Sequence, residues 1–346
     1  LPLAIDRSVL CAWQRRNDDR TTLQSLDMSG NIACWPGEIP TPHHAWFDYG
    51  VGVAAKLADS GYSPWGLDLL AAGDVPQGAG LSSSAALEVA IAGAFRDAFA
   101  LQISDVDLAL LCQRAENEYV GVRCGIMDQF ASTLSRRGHA LLLDCRSLAY
   151  EHVPLRLDEA GLSVVIADSA VTRELASSAY NDRRRECDEA VAELRLRLGR
   201  PSLMSLRDVT EEEMRSVDVD SVPMRRARHV VGEIARVRDA AAALRRDDFA
   251  RFGELMGASH ASLRDDYEVS SPQLDRLVEL ATARPYVLGS RLTGAGFGGC
   301  TVSLVRSDAV ETFERDVIEP YRGETGLPAK MYVTSACDGL RTWRVP

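Results

Sequence analysis

The segment Gly73-Asp-Val-Pro-Gln-Gly-Ala-Gly-Leu-Ser-Ser-Ser-Ala-Ala86 places Gly78 and Gly80 just ahead of three serines at the start of an Ala-rich, helix-forming run. Glycines let backbone amides approach an anion, and the first turn of a helix offers unpaired N–H groups and the positive end of its dipole. That combination makes a phosphate cradle. The serine hydroxyls add short donors, and one of them can serve as an oxygen ligand to Mg²⁺. A glycine turn with a serine N-cap is the plainer alternative. The segment is neither a GK[ST] phosphate loop nor a GxGxxG dinucleotide turn.

Two other segments carry chemistry-bearing residues. Gly294-Ala-Gly-Phe-Gly-Gly-Cys300 is a second glycine-rich turn, here between two strand-like runs. Cys124-Gly-Ile-Met-Asp-Gln129 sets Asp128 at the beginning of a helical segment, where an aspartate is ordinarily a cap.

The elements that must hold these segments are read from apolar periodicity. Strand-like runs at 5–13 and 21–26, separated by the polar turn 17–20, predict an antiparallel hairpin. A helix is predicted over 46–60, then a strand at 67–72, the glycine loop, and a helix over 82–99. A further helix over 105–119 leads through the loop 121–127 into a helix at 128–134, followed by strands at 140–143 and 162–168. The second half is mostly helical (178–198, 224–245, 249–263 and 272–283), with strands at 289–293, 300–305 and 330–333 to pack against. The pattern is α+β in two domains, 1–155 and 156–346, as expected for a 346-residue chain.

With 39 Lys and Arg against 50 Asp and Glu, the net charge of −11 argues against nucleic-acid or membrane-surface binding. The basic runs Arg183–Arg185 and Arg225–Arg228 read as helix faces, solvated or salt-bridged. Eight scattered cysteines without a CxxC pair read as free thiols, and the absence of an apolar run of about 18 residues leaves no spanning candidate. A cytoplasmic location is expected. The chain opens at Leu1 in an apolar strand-like run, which predicts a truncated start.

The Gly73–Ala86 segment resembles the second signature of the GHMP kinases, a superfamily that includes galactose, homoserine, mevalonate and phosphomevalonate kinases. Gly294–Cys300 resembles its third, C-terminal glycine motif. Cys124–Gln129 is similar to the active-site loop of galactokinases, and Ala176–Cys187, His229–Glu233 and Ser259–Ser270 are similar to further galactokinase stretches. The last two are read as helix-packing segments without a catalytic part.

This resemblance implies a two-lobed α+β fold, with an N-terminal mixed-sheet lobe like the second domain of ribosomal protein S5, a C-terminal ferredoxin-like lobe, and the site in the cleft between them. It implies that ATP phosphorylates the anomeric hydroxyl of galactose in a monomeric enzyme that needs Mg²⁺. Asp128 then corresponds to the base, or to a charge that only orients the hydroxyl, and Gly125, Asp128 and Tyr180 to sugar contacts. Gly78, Ala79, Gly80, Leu81, Ser82, Ser83 and Ser84 correspond to the nucleotide loop, Trp46 to an aromatic wall of the adenine site, and Ser84 and Glu116 to Mg²⁺ ligands. The chain departs from the pattern in lacking the first signature, and at Thr172 and Ala179, where a basic residue and a glutamate are usual. Related kinases of N-acetylgalactosamine, arabinose or a uronic acid stay open, as do an impaired fragment and a non-catalytic sugar and ATP sensor. The intact Ser84-Ala85 dipeptide speaks against the sensor.

Overall fold

The computed structural model describes residues 1–171 and 176–343. Two compact units result. The first contains Leu1–Gln77, Ser82–Pro154 and the segment from Ser335 to the C-terminus; the second contains Leu155–Thr334 with Gly78–Leu81. The C-terminal segment therefore belongs with the first unit, where a boundary at residues 155 and 156 alone would have put it in the second. Ala4 bridges Cys337, and Leu340 packs so closely on Gly93 that a Cβ there would stand 2.7 Å from it.

In the first unit β1 (Val9–Arg15), β2 (Thr21–Ser25), β3 (Ile32–Cys34) and β4 (Leu67–Gly73) form a mixed sheet in the order β1-β4-β2-β3. The expected hairpin between β1 and β2 does not form. β4 inserts between them, antiparallel to β1 and parallel to β2. Alternating polarity reports which face of a strand is buried and not which strand lies beside it. β4 takes the centre because Leu67, Leu69 and Ala71 bury completely. Arg16 locks the arrangement by pairing with Asp18 in the turn and with Asp68 on β4.

Helices α1 (Phe47–Asp59), α2 (Ser83–Ala98), α3 (Asp105–Arg114) and α4 (Met127–Leu134) complete this unit, with a small hairpin of β5 (His139–Leu143) and β6 (Tyr150–Pro154). The core joins Val53 and Leu57 of α1, Leu87, Ile91 and Phe95 of α2 and Leu108 of α3 to the sheet. The continuous helix expected over 105–119 instead changes at Ala115 into a π-helical turn, Ala115–Val120.

The second unit carries the antiparallel sheet β10-β7-β9-β8, made of β7 (Leu162–Asp168), β8 (Val287–Leu292), β9 (Cys300–Arg306) and β10 (Lys330–Thr334). Between β7 and β8 run α5 (Ala176–Arg197), α6 (Glu211–Ser216), α7 (Val222–Arg245), α8 (Phe249–Asp265) and α9 (Pro272–Thr282); α10 (Val310–Phe313) and α11 (Glu319–Thr325) lie between β9 and β10. Helical segments after the first and third strands, with strand order 4-1-3-2, make this the ferredoxin-like arrangement. Ser221 and Ser271 cap α7 and α9, each ahead of a proline in the first turn.

α8 lies directly on β8. Gly253 permits this, since a Cβ there would sit 2.1 Å from the Leu288 carbonyl oxygen. The basic runs are paired, as the sequence suggests, but Arg226 is not on a solvated face. It is 1% exposed and held by Glu186 at 2.6 Å and Glu268 at 2.8 Å. A buried guanidinium needs such partners to offset its desolvation.

Candidate active site

The serine-rich loop has the alternating backbone of an anion nest. Gly78, Gly80 and Ser82 have positive φ (72°, 77° and 60°), whereas Ala79 and Leu81 do not. Ser82, a non-glycine residue in the left-handed region, precedes α2 without capping it through its side chain, so the first-turn amides of Ser83 and Ser84 have no side-chain cap from that position. Strain of this kind collects at ligand-binding turns.

In this same first turn, Ser84 meets Glu116. The serine hydroxyl lies near enough to the Glu116 carboxylate to lower its pKa, and that carboxylate accepts from Gln129 Nε2 at 2.7 Å and from the Cys124 thiol at 3.3 Å, both at Oε2. Glu116 is 5% exposed. Burial raises its pKa and the negative charge of Asp128 adds to that rise, while the three donors act in the opposite direction. Ser84, Glu116 and Asp128 thus come together in the first unit.

The turns around Glu116 explain how. In the π-helical turn the Glu116 carbonyl accepts from both Gly121 N and Val122 N, each at 3.0 Å. Asn117 then grips the active-site loop, accepting from Cys124 N at 2.7 Å and donating to Cys124 O at 3.4 Å. The chain enters α4 with Asp128 exposed in its first turn, two positions after the N-cap residue Ile126. Gly125 is exposed too, and a Cβ there would meet nothing within 4 Å.

These residues fit Mg²⁺. A buried carboxylate and a hydroxyl are hard oxygen donors, and Mg²⁺ takes one or two protein ligands together with phosphate oxygens and water. Among the described residues no group of three or more His, Cys, Asp or Glu is placed to hold a metal, so any such cation would rest on the Ser84 and Glu116 pair.

Trp46 precedes α1, donates from Nε1 to Ser29 O at 2.9 Å, meets the Phe47 ring edge-on and packs against the core. The side chain of Tyr180 lies outside the described part of the structure, as do Thr172 and Arg173.

In the second unit the other glycine turn is left-handed at four successive residues, Gly296, Phe297, Gly298 and Gly299. It is anchored by Phe297 N to Val269 O at 2.7 Å and by Ser169 N to Gly299 O at 2.9 Å. Gly296 admits no side chain, because its Cβ would stand 2.1 Å from Val269 O. The His229–Glu233 and Ser259–Ser270 stretches lie behind it as packing elements. His229 stacks on Tyr267 and bonds Ser262, while Glu233 accepts from Ser259, Arg236 and Arg291.

The GHMP kinases N terminal domain matches residues 48–136, which include Ser84, Glu116 and Asp128, and the GHMP kinases C terminal domain matches residues 240–323. A galactokinase of Roseiflexus sp. (strain RS-1) is 48% identical over 341 residues, covering 98% of this chain and 86% of that protein. The chain belongs to the galactokinase family. A galactokinase of Exiguobacterium sibiricum is 44% identical over 98% of this chain and 87% of its own length. The solved Lactococcus lactis galactokinase in complex with galactose superimposes with a TM-score of 0.91 at 37% identity, over 97% of this chain and 87% of that one. The Methanococcus jannaschii mevalonate kinase, at 17% identity and a TM-score of 0.65, shares the fold.

Membership of the galactokinase family makes the chain a sugar kinase. Its sequence motifs mark Ser84, Gly125, Asp128 and Gln129 but give no sign of two residues that support them. Asn117 has no distinguishing context in sequence. Glu88 has one: it lies four residues after Ser84 on the stripe that also carries Leu87 and Ile91, an acid in an apolar row.

Proposed function

We propose that the chain transfers the γ-phosphoryl group of ATP to the anomeric hydroxyl of galactose. The observation that carries this reading is the meeting of Ser84, Glu116 and exposed Asp128 within one unit of a galactokinase-family chain. Phosphoryl transfer needs positioning and charge neutralisation more than covalent help. The amides of Gly78–Ser84 bind the phosphates, and Ser84 and Glu116 would hold Mg²⁺, which would supply neutralisation of phosphate charge. Asp128 accepts or orients the proton of the attacking hydroxyl. The open face of Gly125 admits the sugar, and Trp46 flanks the adenine.

A monomer in the cytoplasm is the accompanying proposal. In its support, among the described residues, no helix is long and apolar enough to cross a membrane. The direct test of Asp128 is Asp128→Asn in this protein. Its kcat is expected to fall roughly 10²- to 10⁴-fold with galactose as acceptor. Activity at the parental level would remove Asp128 from the mechanism.

A further inference from the structure

Glu88 lies on the buried face of α2, is 0% exposed, and makes no ion pair among the described residues. Its Oε2 accepts weakly from Gln129 Nε2 at 3.3 Å, and its Oε1 has no partner at all. Gln129, also 0% exposed, sends the same Nε2 group to Glu116 at 2.7 Å, while its Oε1 is likewise without a partner. The amide of Gln129 therefore bridges two carboxyl groups in a closed interior.

Such an arrangement is costly. A buried carboxyl without a cation loses its hydration and recovers little, and an apolar residue of similar size among Leu87, Val89, Ile91 and Ala92 would pack without that cost. Burial and the neighbouring Glu116 push the Glu88 pKa up to about 9, so the side chain is a neutral acid at pH 7. A neutral acid carries one O–H donor and one acceptor oxygen, and the primary amide beside it has a free acceptor.

We propose that Glu88 is a positioning residue: it holds the Gln129 side chain so that its Nε2 group points at Glu116, and thereby sets how Glu116 presents its carboxylate to Mg²⁺. Outer partners of metal-ligating carboxylates act in this way, and losing one costs roughly 10- to 100-fold in metal affinity. The inference rests on the reading of Ser84 and Glu116 as Mg²⁺ ligands.

The test is Mn²⁺ binding in the presence of a non-hydrolysable ATP analogue, followed by electron paramagnetic resonance, with thermal unfolding measured alongside. Four variants are compared with the parent: Glu116→Gln, Glu88→Met, Glu88→Gln and Gln129→Met. Glu88→Met fills the same space without hydrogen bonds and is expected to weaken Mn²⁺ binding about 10-fold or more, with its melting temperature unchanged or raised. Glu88→Gln, which keeps a neutral donor and acceptor, is expected to stay within about threefold of the parent. Gln129→Met removes the bridge itself and is expected to match Glu88→Met, so the inference stays testable even where one of the two fails to fold. If Glu116→Gln weakens Mn²⁺ binding and neither Met variant does, Glu88 is only a packing residue and the positioning role is refuted. If Glu116→Gln leaves Mn²⁺ binding unchanged, the metal site itself is wrong and the role of Glu88 falls with it.

Discussion

The Ser84 hydroxyl, in the first turn of α2, lies near enough to the Glu116 carboxylate of the π-helical turn after α3 to hold its pKa down. A regular α-helix continued through residue 120 would not give the Glu116 carbonyl two i+5 and i+6 amide donors, and would redirect the chain that leads to Asp128. The proposed metal-ligand pair and the proposed reacting aspartate thus both depend on one local irregularity.

Ser84→Ala removes one member of this pair and nothing from the core, since Ser84 is only partly buried. Its kcat/KM for ATP is expected to fall roughly 10²-fold, the effect of about 2.7 kcal/mol of lost transition-state stabilisation. Initial rates over a Mg²⁺ titration check this, and the optimum is expected to move to higher Mg²⁺. An unchanged profile would exclude the serine from the metal site.

His229 is buried against Tyr267 and Ser262, and burial pushes its pKa down to about 4 from 6.5, with Arg236 and Arg291 adding to the fall and Glu233 and Asp266 opposing it. The unfolded chain therefore binds the extra proton between these values, so this contribution to stability is complete above about pH 6.5 and shrinks as the pH falls toward 4. From pH 7 to pH 5 the loss is about 2 kcal/mol. Urea melts at both pH values check it, with His229→Gln expected to lose correspondingly less than the parent. Equal losses would contradict it.

Two glycines four residues apart on α8 are expected to respond with opposite signs. Gly253→Ala forces a methyl group into the β8 backbone, a clash expected to destabilise by about 3 kcal/mol. Gly257→Ala meets nothing within 4 Å and is expected to stabilise by about 0.5 kcal/mol through the helix propensity of alanine. Chemical denaturation of the pair measures both.

Thiol reactivity follows the thiolate population. Burial pushes Cys11 and Cys124 up to about 12, Glu116 adding to the shift of Cys124, whereas Cys145 is exposed. Partial alkylation at pH 8 followed by peptide mapping is expected to label Cys145 well before Cys124 and Cys11. Early labelling of Cys124 would contradict the packing of the Glu116 turn.

Much of this architecture is legible in the chain. The glycines and serines of 78–84 announce an anion loop because their backbone and helix-start properties are local. Strand β7 is found at its expected residues, since an unbroken apolar run bounded by polar turns leaves little choice. Strand partnership is not local, and so the 5–26 region reads as a hairpin although β4 separates its two strands. The bridge from Glu88 through Gln129 to Glu116 joins three separate helical segments, and only the polarity of Glu88 within an apolar stripe hints at it. The return of the C-terminal segment to Gly93 leaves no trace in composition at all.

ADP release by the protein with a panel of acceptors tests transfer to the anomeric oxygen of galactose. Galactose is expected to be the preferred acceptor, N-acetylgalactosamine, arabinose and galacturonic acid poor ones, and 1-deoxygalactose inert. Transfer to 1-deoxygalactose at the galactose rate, or a preference for another sugar of the panel, would contradict it.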